Sequence, residues 1–256
     1  MKRESIAIAA ICVAAVAGSA FADGRVTITD GTNAYNGSDG SGGAFTVTRA
    51  TPGANGDYNG VYGGNRVSGD GRVADSFLSF CLEIGDTLGF GATYYTEIST
   101  SAKRDGSTGS GNPNPDPLSA VTAKIYSEFR SFVSNAGSST VNPGSAFGGL
   151  LGSSLDSGET TAIQQAIWYT ENELGSISGT ALSIYNWALA NNNGSLNGVR
   201  VLRLWDNYNA SNGAYSGSHQ DLLTMIPLPP SAYAGMGTLI GLAGVGYIRR
   251  RKLAVV

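Results

Sequence analysis

Cysteine, histidine and charge are all scarce in this sequence, and each shortage excludes a class of function. The 256 residues include two cysteines, one histidine and only 14% charged residues. One histidine with so few cysteines cannot supply the usual nitrogen and sulfur ligands of zinc, so neither a metal site nor a cofactor is predicted. The sequence also lacks a Gly-x-Ser-x-Gly elbow, a Walker loop and a dinucleotide fingerprint. We therefore do not expect a turnover enzyme.

Basic residues are few outside the two ends of the chain. Lys2, Arg3 and the run 249–252 hold six of the sixteen Lys and Arg residues. Without those six and Glu4, ten basic residues face eighteen acidic ones, a net charge of −8. An acidic domain without a basic stripe argues against nucleic acid as a partner. The 37 glycines and the low charge favour a loop-rich, strand-rich extracellular domain.

The N-terminus has the three parts of a secretory signal. Lys2 and Arg3 precede an apolar core at 6–17, and Ala-Phe-Ala at 20–22 forms a small-x-small cleavage site. Residues 1–22 are therefore predicted to be a signal peptide, and export is expected. Cleavage removes Cys12 and leaves Cys81 as the single cysteine, which cannot form an internal disulfide.

The C-terminal residues 227–256 form a second tripartite segment. Its parts are a proline-rich helix breaker, an apolar run at 231–248 and a basic stop: Pro227, Leu228, Pro229, Pro230, then Arg249, Arg250, Arg251 and Lys252. Eighteen apolar residues are at the short end of the transmembrane range, and the basic stop is expected to stay cytoplasmic. The segment resembles the PEP-CTERM sorting signals, in a Pro-Leu-Pro-Pro variant. That resemblance implies an exosortase-type processing enzyme as partner and at least transient membrane contact; a permanent anchor is the alternative.

Between the two ends, residues 23–226 are predicted to be one ectodomain of the α+β class. Alternating runs predict strands at 25–30, 43–50, 75–85, 93–99, 199–205 and 221–226. Helical periodicity predicts three helices between them, one capped by Asp116 with Pro117 at its first position, one over 157–175 and one over 181–190. The order strands, helices, strands favours a β-sandwich or barrel-like sheet with a helical insertion.

Cys81 lies in the most informative of these strands. Period-two alternation places Leu78, Phe80, Leu82 and Ile84 on one face, and Phe77, Ser79, Cys81 and Glu83 on the other. Cys81 therefore points away from the more apolar face. A reactive thiol at a layer boundary and a buried inert thiol both fit that position.

The helix over 157–175 carries the sequence Gln-x-Ala-Ile-Trp. Its apolar stripe is predicted to be Ala162, Ile163, Ala166, Ile167 and Leu174. Gln164 lies beside the stripe and next to Trp168. An amphipathic helix whose tryptophan fills the core is the structural interpretation of the same pattern.

Together, Phe80-Cys81-Leu82-Glu83 and Gln-x-Ala-Ile-Trp resemble the paired motifs of the thioester domains of bacterial surface adhesins. The resemblance implies that the Cys81 thiol displaces ammonia from the Gln164 side chain, and that the internal thioester then acylates an amine on a target surface. It implies that Phe80, Glu83 and Trp168 line the site. Ile163 stands where the Gram-positive domains usually have threonine, and this form is more similar to exported proteins with PEP-CTERM-like tails.

Three rival assignments use other residues. Gln165 is a second possible acyl donor, on a different helical face. His219, the only histidine, would be the sole partner for Cys81 in a thiol-protease pair. Glu171 and Glu173 would be the carboxylates of an acid–base pair, but two residues apart on a helix they do not face each other. We interpret these two glutamates as solvated helix charges.

Two functional classes remain open from the sequence. The first is a covalent-capture adhesin that acts once per molecule on a surface amine or polysaccharide. The second is a non-covalent structural protein of the envelope that has no thioester. Either is expected at the cell envelope, the cell surface or in the extracellular matrix.

Overall fold

The described part of the chain has a mixed fold with an antiparallel β-sheet and three α-helices. A computed structural model describes residues 24–30, 44–50, 76–103, 115–135, 146–151 and 157–225. The predicted signal peptide and the predicted sorting tail lie outside these residues, so both stay predictions. In the part of the chain that is described, no helix is long and apolar enough to cross a membrane.

The main sheet has seven strands. They follow the order β3-β2-β1-β4-β7-β8, with β9 also paired to β7. Every pairing in the sheet is antiparallel. The strands are β1 (Gly24–Asp30), β2 (Phe45–Arg49), β3 (Ser76–Ser79), β4 (Thr93–Ser99), β7 (Val199–Asn209), β8 (Ala214–Ser218) and β9 (Leu222–Met225). Two short strands, β5 (Ser101–Ala102) and β6 (Asp116–Pro117), pair with each other beside it.

The chain that directly follows β3 pairs with β9. Cys81 and Leu222 form an antiparallel bridge. The N–H of Leu82 donates to the carbonyl of Asp221 at 3.0 Å, and the N–H of Leu223 donates to the carbonyl of Phe80 at 3.1 Å. These bonds join the chain beyond β3 to β9 at the position of Cys81.

The three helices are α1 (Ala120–Asn135), α2 (Ser157–Thr170) and α3 (Gly179–Asn191), and each contacts the other two. The prediction that Asp116 caps α1 is wrong. Asp116 and Pro117 form strand β6, and the hydroxyl of Ser119 accepts the N–H of Thr122 at 3.0 Å. Serine is a favourable N-cap, so the helix begins one turn later than predicted.

Among the described residues, buried apolar side chains form two clusters, a helical core and a strand core. They lie on opposite faces of the segment 77–82, which comprises most of β3 and the residues after it. The helical core joins the helices to one side of that segment and includes Leu78, Phe80 and Leu82. The strand core includes Phe77 and Cys81 with residues of β1, β2, β4, β7 and β9. The predicted alternation is therefore confirmed from 77 to 82.

The alternation ends after Leu82. Strand β3 stops at Ser79, and the chain bends beyond Cys81, so that Ile84 is 43% exposed instead of sharing the face of Phe80. The predicted stripe of α2 fails at its end for a similar reason. Because the helix stops at Thr170 rather than near 175, Leu174 packs against the strand core and not with Ile163 in the helical core.

Candidate functional site

The side chain of Gln164 is bonded to the main chain of Cys81 at two points. The N–H of Cys81 donates to Oε1 of Gln164 at 3.0 Å, and Nε2 of Gln164 donates to the carbonyl of Cys81 at 2.7 Å. A main-chain N–H only donates and a carbonyl only accepts, so this pairing fixes which way round the carboxamide lies. The structure thus brings together the two residues that the sequence motifs single out.

Both partners are removed from water. Gln164 is fully buried and Cys81 is 4% exposed. Buried main-chain N–H and carbonyl groups need hydrogen-bond partners, which a neighbouring strand usually provides in a sheet. At Cys81 the Gln164 carboxamide provides both partners instead. Helix α2 brings Gln164 there because Ile163 and Ile167, on either side of it in sequence, are anchored in the helical core.

Cys81 is a free thiol in a surrounding that disfavours its anion. Burial raises the pKa of the Cys81 thiol well above its ordinary value, and the nearby charge of Glu83 raises it further. The neutral forms of the sulfur, a thiol or a thioester, are therefore favoured over a standing thiolate.

The aromatic residues predicted to line the site are divided between the two cores. Trp168 belongs to the strand core together with Cys81. Phe80 lies in the helical core, where its ring packs edge-on against Phe129 with centroids 4.8 Å apart. Trp168 is thus on the sulfur side of the strand, and Phe80 is on the opposite side.

A buried charged group adjoins Cys81, and the sequence did not suggest it. Nζ of Lys103 lies 2.9 Å from Oδ1 of Asp221, and the N–H of Lys103 donates to Oδ2 of the same carboxylate at 2.6 Å. Glu83 is 6% exposed, and the amide of Gln220 donates to its carbonyl. Burial, and then the charges of Asp221 and Asp86, raise the pKa of Glu83 to about 8.

The interpretation of Glu171 and Glu173 as solvated helix charges is wrong. Both follow the end of α2 and are buried. Glu171 accepts the N–H of Ser119 at 3.3 Å, and Glu173 accepts the N–H of Ile84 at 3.2 Å. Burial raises the pKa of Glu171 to about 7. These carboxyls join loops to one another.

The rival partner His219 is engaged elsewhere. Its Nε2 lies 2.6 Å from Oδ1 of Asp206, and its ring packs on Tyr94 with centroids 4.6 Å apart. No hydrogen bond joins it to Cys81, although both residues are described. Gln165, the second possible acyl donor, is half-buried and one helical position away from the bonded carboxamide.

Within the described ranges, no group of three or more His, Cys, Asp or Glu residues is arranged to hold a metal ion. Among the described residues, the groups around Cys81 are a thiol, the Gln164 carboxamide and buried carboxyls. No family model matches the chain, and no curated protein or solved structure is significantly similar to it.

Proposed function

We propose that the protein is a surface or matrix protein that captures amines covalently through an internal thioester between Cys81 and Gln164. The observation that supports this most strongly is the double hydrogen bond between the Gln164 carboxamide and the Cys81 main chain. It holds the acyl carbon against the residue that carries the nucleophile. Such positioning can contribute about 7–11 kcal/mol to an intramolecular reaction at the extreme.

The bonding pattern suits the first step of the reaction. Sγ of Cys81 attacks Cδ of Gln164 and negative charge develops on Oε1. The Cδ–Nε2 bond then breaks as the thiol proton passes to the nitrogen, and ammonia leaves. The Cys81 N–H already donates to Oε1 at 3.0 Å. A donor aimed at the oxygen that gains charge is the arrangement that stabilises a tetrahedral intermediate.

Burial suits the product of that step. Removal from water costs a neutral thioester less hydration free energy than it costs a charged thiolate. Exclusion of water also slows hydrolysis of the thioester. Because Cys81 is only 4% exposed, access to the site is narrow. We infer that the target is a primary amine on a slender, flexible chain, which reacts to form an amide and frees the Cys81 thiol.

A non-covalent structural role is the second candidate, and the same bonds favour it. The Gln164 carboxamide satisfies two buried main-chain groups of Cys81 whether or not a covalent bond forms. In that case the protein is an envelope or matrix component whose Cys81 stays a free thiol.

The wider context belongs to the proposal as well. We propose that the sheet is barrel-like and closes at the bridge between Cys81 and Leu222. Residues 1–22 then act as a cleaved signal, and residues 227–256 as a sorting tail with a transmembrane helix that an exosortase-type enzyme processes. The product resides at the cell surface or in the extracellular matrix.

Reaction with methylamine tests which residues form the thioester. Incubation should add methylamine at Gln164 and make Cys81 available to alkylation, both located by peptide mapping. Cys81→Ala and Gln164→Ala should abolish the adduct, whereas the neighbouring control Gln165→Ala should retain it. An adduct that survives Gln164→Ala would contradict the assignment of the acyl donor.

A further inference from the structure

The buried pair of Lys103 and Asp221 brings an amine nitrogen against a carboxyl group. Nζ of Lys103 lies 2.9 Å from Oδ1 of Asp221, and the two side chains are 8% and 0% exposed. Lys103 directly follows β5 and Asp221 directly precedes β9, so the pair joins two points that are 118 residues apart in the chain. Neither side chain is used in the proposed thioester.

The contact between Nζ and Oδ1 is close, yet it is not a directed hydrogen bond. Nζ of Lys103 donates to the main-chain carbonyl of Leu204 at 3.0 Å and also to that of His219. Oδ1 of Asp221 is buried and accepts no hydrogen bond from the part of the chain that the structure describes. Two of the three N–H groups of the ammonium are therefore engaged by carbonyls. Loss of the third proton leaves a lone pair on a nitrogen that lies beside the carboxyl.

The other carboxyl oxygen is held by a main-chain donor. The N–H of Lys103 donates to Oδ2 of Asp221 at 2.6 Å. When a nucleophile attacks a carboxyl carbon, negative charge develops on the oxygen that stays, and a fixed N–H at that oxygen stabilises the tetrahedral intermediate. Lys103 thus supplies both the nucleophile and the donor that stabilises the charge.

The surroundings favour an uncharged product. Both charges are removed from water, and the desolvation cost of a buried ion pair can exceed the attraction between its charges. The ring of Trp205 covers the nitrogen, with Nζ 4.7 Å from the ring centroid. An amide between the two side chains carries no charge, and an enclosed site keeps out the water that would hydrolyse it.

We propose that Lys103 and Asp221 form an intramolecular amide, a covalent cross-link between their side chains. The ammonium first passes a proton to Oδ1. The free Nζ then attacks Cγ, and charge develops on Oδ2, to which the Lys103 N–H donates. A second proton passes from Nζ to Oδ1, the Cγ–Oδ1 bond breaks, and water leaves. One ammonium and one carboxylate thus become one amide and one water, without another reactant.

The cross-link reinforces the segment that supports Cys81. The carbonyl of Asp221 accepts the N–H of Leu82, and the next residue, Leu222, forms the bridge to Cys81. A covalent bond between Lys103 and Asp221 closes a loop of the chain that contains α1, α2 and α3. Closure of a long loop stabilises a fold by restricting the unfolded chain. This reinforcement does not depend on the thioester.

Accurate intact mass tests the cross-link in the full-length Cys81→Ala variant, in which no thioester can form. The denatured variant should weigh one water less than its sequence, and its tryptic digest should contain a branched peptide that joins Lys103 to Asp221. In the same background, Lys103→Arg keeps the positive charge but removes the amine, so it should restore the full mass. Lys124→Arg changes a partly exposed pair with Glu128, in which Nζ lies 3.1 Å from the carboxylate, and should keep the loss of water.

The outcomes separate the cross-link from the thioester. Full sequence mass in the Cys81→Ala variant, or a loss of water that persists in Lys103→Arg, overturns the cross-link alone. If Cys81→Ala does not fold, a digest of the parent protein without the branched peptide overturns it equally. A parent protein that has the branched peptide but loses no ammonia keeps the cross-link and overturns the thioester. Water lost here is counted in the calculated masses of the parent and of Gln164→Ala alike, so the loss of ammonia is assessed separately.

Discussion

The Gln164 side chain forms two hydrogen bonds with the Cys81 main chain, one to the N–H and one to the carbonyl, as a neighbouring β-strand would. On one edge of the chain, Phe80 and Leu82 exchange main-chain hydrogen bonds with the β9 side of the sheet. On the other edge, the N–H and carbonyl of Cys81 meet the carboxamide of Gln164. The α2 helix thus completes the hydrogen bonding of the sheet at one residue, the residue that carries the thiol.

The first prediction concerns the stability that this pairing provides. Gln164→Ala leaves two buried polar groups of Cys81 without partners, at about 1–3 kcal/mol for each group. We expect urea unfolding in the Cys81→Ala background, where no thioester can form, to show a loss of at least about 2 kcal/mol. Gln165→Ala in the same background should change stability by less than about 0.5 kcal/mol. Equal effects of the two variants would contradict the pairing.

The second prediction concerns the buried ion pair. Lys103→Met leaves the fully buried Asp221 carboxylate without its ammonium, and removal of one partner of such a pair costs about 3–5 kcal/mol. The double variant with Asp221→Leu should recover part of that loss, measured by urea unfolding. As a control, Lys124→Met removes a partly exposed pair with Glu128, which should cost about 0.5 kcal/mol or less. A Lys103→Met variant as stable as that control would show that the ion pair is not formed.

The third prediction concerns pH. The pKa of Glu171 is about 7 in the folded protein, above its ordinary value, because the carboxyl is buried. The folded state therefore holds a proton that the unfolded state releases, so this contribution is complete below about pH 4 and is lost as pH rises through 7. The shift corresponds to about 3 kcal/mol. Glu83 acts in the same direction up to about pH 8.

Urea unfolding at pH 5 and pH 8 measures this dependence. The parent should be less stable at pH 8, and Glu171→Gln, which keeps an oxygen to accept the Ser119 N–H, should reduce the difference. A parent that is equally stable at both values would mean that these carboxyls are not buried in the protonated form.

Much of the fold follows from local patterns in the sequence. The strand at 93–99 was predicted at its observed bounds, and the predicted helix at 181–190 lies within α3. The alternation from 77 to 82 correctly separated Phe80 from Cys81, because two faces of one strand enter two different cores. The periodicity of apolar residues and the positions of turn residues predict secondary structure well where it depends on one helix or strand alone.

Long-range polar contacts could not be predicted in this way. Glu171 and Glu173 follow the end of a helix, where charged residues are usually solvated. In the fold both are buried, and they accept the main-chain N–H groups of Ser119 and Ile84, which are distant in sequence. Lys103 and Asp221 are 118 residues apart, and no spacing rule relates them. The Asp116-Pro117 pair has a proper capping pattern, but pairing with β5 prevails over it.

The intact mass of freshly made protein, purified without reducing agents or amines, is the most direct test of the central claim. If Cys81 and Gln164 are joined, the chain weighs one ammonia less than its sequence, Cys81 resists alkylation, and the Gln164→Ala variant shows the full mass calculated for its own sequence. A parent protein of full sequence mass, with Cys81 freely alkylated after denaturation, would contradict the thioester and leave the non-covalent structural role.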